Sequence, residues 1–118
     1  QIACNLKNLA EKCLDKIKAK YPNMIITSRF RQGSGDSQHQ RGQAADMQFP
    51  GSTKGEYYDI AVWIKSNVPY DQLLLEYQTI GSGNPWIHIS SNQNGNRGQV
   101  MTYMNHKKAA SGLQKLQG

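Results

Sequence analysis

Cysteine is scarce in this sequence, and its spacing excludes two common roles. Cys4 and Cys13 are the only cysteines among the 118 residues. Because they lie about half a turn out of phase in a segment with helical patterning, they cannot bridge to each other within one helix. Neither has a second cysteine at metal-ligand spacing. We therefore expect buried or free thiols, which leave the redox compartment undetermined.

Long apolar runs are missing as well. Hydrophobic residues make up 37% of the chain, the mean hydropathy is −0.70, and no run approaches the length of a membrane span. No secretion-type leader is present, and the chain opens at Gln1 without a methionine. We expect no membrane span, and an excised module or a processed product of a larger protein. At this length there is room for one domain with a modest core.

Acidic residues are few relative to basic ones, with 8 Asp and Glu against 14 Lys and Arg. The formal net charge of +6 predicts attraction to polyanions such as nucleic acid, anionic lipid or bacterial cell wall. The basic residues are scattered, without the compact block and interleaved aromatics that a nucleic-acid groove prefers. We therefore expect no nucleic-acid partner, while an anionic cell wall would still be attracted.

Hydrophobic periodicity predicts two helices and several strands. One helix is expected over residues 3–20, before Pro22, and a second from a Thr53 cap to about Asn67. Strands are predicted at 24–28, 72–77, 86–90 and 99–103. The last two are joined by a segment containing Asn94-Gly95, a step typical of a hairpin. Residues 105–118 are expected to form a peripheral tail, with a short frayed helix as its candidate element.

Three acidic or imidazole side chains are expected on the polar faces of their strands. Asp46, Glu76 and His88 each fall on the face opposite their most apolar neighbours, because successive strand residues point to opposite sides. Each segment thus offers an apolar side to a core and turns its candidate residue the other way. This pattern favours a sheet with helices behind it and a polar cleft in front.

His39, Asp46 and His88 would supply three protein ligands for a zinc ion and leave its fourth position open for water. His39 and Asp46 would lie roughly 10 Å apart along one helix, and on opposite faces of one strand. The segment between them must therefore fold back, and Gly42 sits where such a turn is needed. By spacing alone, a histidine with a nearby aspartate is more often a surface pair, so both interpretations stay open here.

A motif adds to this spacing. The pattern Ser-x-His-x-x-Gly-x-Ala-x-Asp is met at every fixed position, by Ser37, His39, Gly42, Ala44 and Asp46. It resembles the signature of the M15 peptidases, the zinc D-Ala-D-Ala carboxypeptidases and phage endolysins, whose fold is shared with the N-terminal signalling domain of Hedgehog. Residues 26–31 resemble the Ser-Gly-Tyr-Arg stretch of that family, with Arg31 at the arginine position. The resemblance covers roughly residues 24–104.

Residues 73–77 and 86–89 resemble the strand pair that carries the catalytic glutamate and the last zinc ligand of the family. In the carboxypeptidase branch the glutamate lies three residues before the final histidine. Here the connection 78–85 separates Glu76 from His88. This is more similar to the phage-type branch with a longer hairpin. Arg29 also stands at the usual glycine position and is expected to alter the rim of the pocket.

The resemblance implies an α+β fold with a small antiparallel sheet, two main helices packed behind it and a zinc cleft on the opposite face. Residues 1–104 would form the peptidase domain. It implies hydrolysis of the peptide stem of peptidoglycan, with Zn²⁺ held by His39, Asp46 and His88. Glu76 would transfer the proton, and Arg31 would stabilise the oxyanion or anchor a substrate carboxylate.

Two further residues are candidates on the substrate side. Ser37 is expected to be a turn residue that holds the motif loop, and Trp86 to form the cleft wall with a stacking contact to substrate. The bond that is cut, and the choice between endopeptidase and D,D-carboxypeptidase, are left open. The enzyme would act on the cell wall, as a virion-associated protein or one released at lysis. Alternatives are a Hedgehog-like binding module and a basic virion structural module stabilised by the metal.

Overall fold

A six-stranded sheet organises the residues that the computed structural model describes, which are 2–28, 43–77, 84–92, 95–105 and 107–113. Its strands are β1 (Ile25–Ser28), β2 (Ala44–Gln48), β3 (Gln72–Tyr77), β4 (Trp86–Ser90), β5 (Gln99–Met104) and β6 (Lys107–Ser111). They lie side by side in the order β1-β2-β4-β3-β5-β6. Neighbours are antiparallel except for β3 and β5, which run parallel. The fold is therefore α+β, as predicted, on a mixed sheet.

The placement of β5 corrects two predictions. The sheet is not purely antiparallel, and the strands on either side of Asn94-Gly95 do not pair as a hairpin. β3 lies between β4 and β5, so those two strands are not neighbours. A local turn signal predicts pairing of adjacent segments, but the partner of a strand is decided by contacts that are distant in sequence.

Asp71, which directly precedes β3, bonds to both neighbouring strands. Its backbone N–H donates to the Ser90 carbonyl at 2.7 Å, and its own carbonyl accepts from the Gln99 N–H at 2.9 Å. Its carboxylate accepts from the Arg97 backbone N–H at 2.8 Å and from the Arg97 guanidinium at 3.0 and 2.8 Å. Asp71 is only 1% exposed. The start of β3 is thereby bonded to the end of β4 on one side and the start of β5 on the other.

The N-terminal helix consists of α1 (Ile2–Leu9), a π-helical segment (Ala10–Leu14) and α2 (Asp15–Lys20). The apolar residues that recur at helical spacing face the core, since Leu9, Cys13 and Ile17 have no exposed surface and Leu6 is half-buried. The helix ends before Pro22, as expected, but its π-helical segment was not predicted. Both cysteines are free thiols, Cys4 exposed and Cys13 buried, which confirms the expectation from their spacing.

Helix α3 (Lys54–Asn67) begins at the predicted cap. The Thr53 side chain accepts from the Glu56 backbone N–H at 3.1 Å, and the Glu56 carboxylate accepts from the Thr53 N–H at 2.8 Å. This reciprocal capping box satisfies two of the N–H groups that a helix start leaves unpaired. Within the part of the chain that the structure describes, no helix is long and apolar enough to cross a bilayer.

The core lies between the two predicted helices and one face of the sheet, here called the back face. Strand parity is confirmed, because alternate residues of β2, β3 and β4 enter this core. The strand side chains in it are Ala45, Met47, Leu73, Leu75, Tyr77, Ile87 and Ile89. Aromatic rings close one end, where Phe49 meets Tyr21 and Tyr57 edge to face at centroid distances of 5.9 and 5.6 Å.

The helix considered for residues 105–118 is wrong over Lys107–Ser111, which form the edge strand β6. Asn105 adopts a left-handed φ of 51°, a conformation that asparagine tolerates better than most residues and that turns the chain back. Beyond β6, the Gly112 N–H donates to the Val100 carbonyl at 2.8 Å, and the Thr102 hydroxyl donates to the Gly112 carbonyl at 2.8 Å. The sheet thus continues past residue 104.

Candidate metal site

Candidate residues from several strands lie on the face of the sheet opposite the helices, here called the front face. The pairing of β2, β4 and β3 places Asp46 opposite His88, and His88 opposite Leu74. In the next row Trp86 lies opposite Glu76. Three residues that are far apart in sequence, Asp46, Glu76 and His88, therefore share one surface at the centre of the sheet.

Asp46 and His88 form a direct pair. Nδ1 of His88 lies 3.0 Å from Oδ1 of Asp46. Their side chains are 15% and 11% exposed, so both are largely withdrawn from water. The register explains the contact, because directly opposite residues of antiparallel strands bring their Cβ atoms to about 4.5–5.5 Å. The pair is thus a product of strand pairing and needs no loop to assemble it.

The separation of these two atoms suits two roles around a metal ion. Two ligand atoms that each lie about 2.0–2.1 Å from a tetrahedral zinc ion are about 3.3 Å apart, close to the 3.0 Å found here. A carboxylate bonded to one imidazole nitrogen also fixes the ring so that the other nitrogen can bind a metal. Aspartate oxygen and histidine nitrogen are both common zinc donors, so the donor chemistry of the pair fits the ion.

Residues 29–42 lie outside the described residues, and with them the predicted ligand His39 and the candidates Arg31 and Ser37. The described ranges alone contain no group of three or more metal-type side chains. The pair of Asp46 and His88 is the part of the predicted ligand set that the structure brings together. The contribution of His39, Arg31 and Ser37 stays a prediction from the motif.

Glu76 lies on the front face near the pair of Asp46 and His88, in the adjacent row of cross-strand residues. His88 and Trp86 are two residues apart on β4, so Glu76 is the diagonal neighbour of His88 on β3. Such diagonal positions are about 7–8 Å apart, within reach of a long side chain. One Glu76 carboxylate oxygen, Oε2, accepts a hydrogen bond from the indole Nε1–H of Trp86 at 2.8 Å. The carboxylate is therefore held beside the row that contains His88.

A hollow of about 250 Å³ lies beside the end of β2 and the residues that precede β4. Its lining is mixed polar and apolar and carries no charged side chain; the lining residues are Gln48, Phe49, Pro50, Gly51, Ser52, Tyr57, Asn84 and Pro85. Gln48 donates its amide N–H to the Pro85 carbonyl at 3.3 Å. The hollow has room for a small uncharged group.

Sequence reasoning missed two features that shape the site. The bond between Asp71 and Arg97 sets the start of β3, the strand that carries Glu76, and this bond raises the pKa of Arg97. Tyr103 lies beside Glu76 through the parallel pairing of β5 with β3. The sequence predicts on which side of its strand Tyr103 lies. It does not predict that Tyr103 lies beside Glu76, because this depends on the order of the strands.

Comparison of the chain with protein-family models, with curated proteins and with solved structures gave no match in any of the three. The functional proposal therefore depends on the motif residues and on the geometry of the front face. The arrangement found there combines two metal-type donors with a carboxylate on a neighbouring strand. A catalytic zinc site has three protein ligands, so the two donors of the pair form part of such a site.

Proposed function

We propose that this chain is a zinc-dependent peptidase of the M15 type that hydrolyses the peptide stem of bacterial peptidoglycan. The observation that supports the proposal most is the Asp46 and His88 pair, two metal-type donors 3.0 Å apart on the face opposite the core. The third ligand of the proposal is His39, which occupies the histidine position of the motif that ends at Asp46. The proposed cleft lies on the front face.

A zinc ion bound at such a site would supply a water of lowered pKa and would polarise a substrate carbonyl. In the proposal, Glu76 accepts the proton of the attacking water and passes it to the leaving amine. Its diagonal position relative to His88 supports this role. Arg31 would donate hydrogen bonds to the developing oxyanion or to a substrate carboxylate, a task that suits its planar fork of donors.

The charge of the chain supports the choice of substrate class. A net charge of +6 favours association with an anionic polymer, and bacterial cell wall is the polyanion that the motif resemblance also points to. The proposal covers both an endopeptidase and a D,D-carboxypeptidase. It includes action at the cell wall, either from a virion or after release at lysis.

One observation favours a second candidate function. The Glu76 carboxylate already accepts a hydrogen bond from Trp86, which would equally suit a structural glutamate. A zinc-stabilised, Hedgehog-like binding module or virion structural module would keep the metal pair and lack turnover. This alternative predicts metal binding without release of wall fragments.

Metal analysis combined with digestion of purified cell walls separates these candidates. We expect about one zinc per chain, release of free amino groups from the walls, loss of release with a chelator and recovery when zinc is returned. Release of reducing sugar ends would indicate a glycosidase and contradict the proposal. Zinc binding without release from walls of several chemotypes would support the binding or structural module.

A further inference from the structure

The hydrogen bond between Trp86 and Glu76 joins two front-face side chains that lie opposite each other on β4 and β3. The indole N–H can only donate, and an ionised carboxylate can only accept. A bond of 2.8 Å between them is charge-assisted and stronger than a bond between neutral groups. Both side chains are half-buried, which limits competition from water.

We propose that Trp86 is a positioning residue that holds the Glu76 carboxylate in place for proton transfer. The proposal rests on the function proposed above, in which Glu76 is the proton-transfer group. It adds a role that the motif resemblance does not assign to Trp86, for which the sequence suggested a wall or stacking contact. The bond acts on the orientation of Glu76, and Trp86 need not touch the reacting atoms.

The side chain of a glutamate explains why such a partner matters. Glutamate has several rotatable bonds and loses considerable rotamer freedom when it is fixed, whereas a rigid indole loses less. Misplacement of a catalytic group by about 1 Å can cost about 10²-fold in rate. A fixed donor on the neighbouring strand therefore narrows the positions that the carboxylate can adopt.

The bond is also compatible with proton transfer. A carboxylate has about four acceptor sites on its two oxygens, so one hydrogen bond from an indole does not use its capacity to accept. The register places this donor on β4, the strand that carries His88 two residues further on. The strand that carries the proposed metal ligand thus also carries the group that orients the proposed base.

The polar edge of the indole, and not its ring face, makes the contact with Glu76. A stacking role depends on the ring face and is largely kept by phenylalanine. A positioning role depends on the N–H and is lost with phenylalanine. The two roles therefore give different results for the same substitution.

A double-mutant cycle tests the proposal, using Trp86→Phe, Glu76→Gln and the double variant in the full chain with purified peptidoglycan fragments. We expect Trp86→Phe to lower kcat about tenfold, as expected for one lost hydrogen bond to a charged group, with KM changed far less. In the Glu76→Gln background, Trp86→Phe should have little further effect, because residues that act through one another are not additive. Trp63→Phe is the matched control, since Trp63 lies in helix α3 and packs on Tyr21.

A second variant guards against misfolding of Trp86→Phe. Replacement of Trp86 by 3-benzothienylalanine in the Trp63→Phe background keeps the ring size and removes only the N–H. We expect the same fall in kcat as in Trp86→Phe, with an unchanged far-ultraviolet circular dichroism spectrum and unchanged metal content.

The outcomes separate the two proposals. Equal losses from Trp86→Phe in both backgrounds, or a raised KM with unchanged kcat, would overturn the positioning role while the peptidase proposal stands. A wild-type chain that binds zinc and cleaves no wall material would overturn the peptidase proposal and the positioning role with it.

Discussion

At the residue scale, the pair of Asp46 and His88 carries the proposed metal site. If both are ligands together with His39, then His39→Ala, Asp46→Ala and His88→Ala should each lose zinc, because two remaining donors bind the ion weakly. Zinc content of the purified variants, measured by elemental analysis, checks this. Asp59→Ala and His106→Ala are matched controls, since Asp59 is exposed on α3 and His106 falls outside the motif. Full metal retention in any two of the three variants would rule out this ligand set.

Substitution of Glu76 is expected to lower the rate of wall cleavage and to leave the zinc content unchanged. Glu76→Gln keeps the shape of the side chain and removes its ability to take a proton, a step that typically contributes about 10²–10⁴ in rate. Wall cleavage should fall by that order while zinc content stays at the wild-type level. If the variant cleaves walls within a few-fold of wild type, the base lies elsewhere. Asp36, in the segment before His39, would then be the next residue to test.

The sequence was sufficient to place Asp46, Glu76 and His88 on one face, because strand parity is a local property with a period of two. It could not predict that His88 lies opposite Asp46 or that Trp86 bonds to Glu76. Those contacts depend on register, which is set by the pairing of segments about 10 to 42 residues apart. The sequence could therefore predict which residues lie on the front face, but not which of them contact each other.

At the scale of elements, Asp71 bonds the start of β3 to β4 on one side and to β5 on the other. Asp71→Asn would remove the charge that pairs with Arg97 and leave its donors less well satisfied at a buried position. We expect a loss of about 1–3 kcal/mol in the free energy of unfolding, measured by urea denaturation. Asp59→Asn, at an exposed position of α3, should change stability by less than about 0.5 kcal/mol. Equal stabilities of the two variants would contradict a structural role for the Asp71 bonds.

The elements that sequence analysis located well are those whose ends are fixed locally. Helix α3 begins at Thr53 because a capping box needs only Thr53 and Glu56, three residues apart. The residues of strand β5 were predicted correctly, but its neighbour in the sheet was not. The Asn94-Gly95 step predicted pairing with β4, whereas β5 pairs with β3, which Asp71 precedes. Strand β6 was not predicted, because its sequence has no strand-like pattern of alternating apolar residues. It is a strand because it pairs with β5.

At the scale of the whole molecule, burial of titratable groups should make the fold sensitive to alkali. Burial raises the pKa of the Cys13 thiol from 9.0 to about 11, and it also raises the pKa of Tyr21, Tyr57 and Tyr70. For such groups the unfolded chain loses its protons first. The stabilisation is therefore fully present below pH 9.0 and is lost as pH rises towards about 11 for Cys13.

The free energy of unfolding should thus decrease between about pH 9 and pH 11, and Cys13 should cause part of that decrease. Urea denaturation at several pH values measures the slope in wild type, Cys13→Ala and Cys4→Ala. The Cys13→Ala variant is expected to be less stable at neutral pH, because it loses buried volume, but to show a shallower alkaline slope. Cys4 is exposed, so Cys4→Ala should keep the wild-type slope. An identical slope in wild type and Cys13→Ala would mean that the buried thiol does not set the alkaline limit.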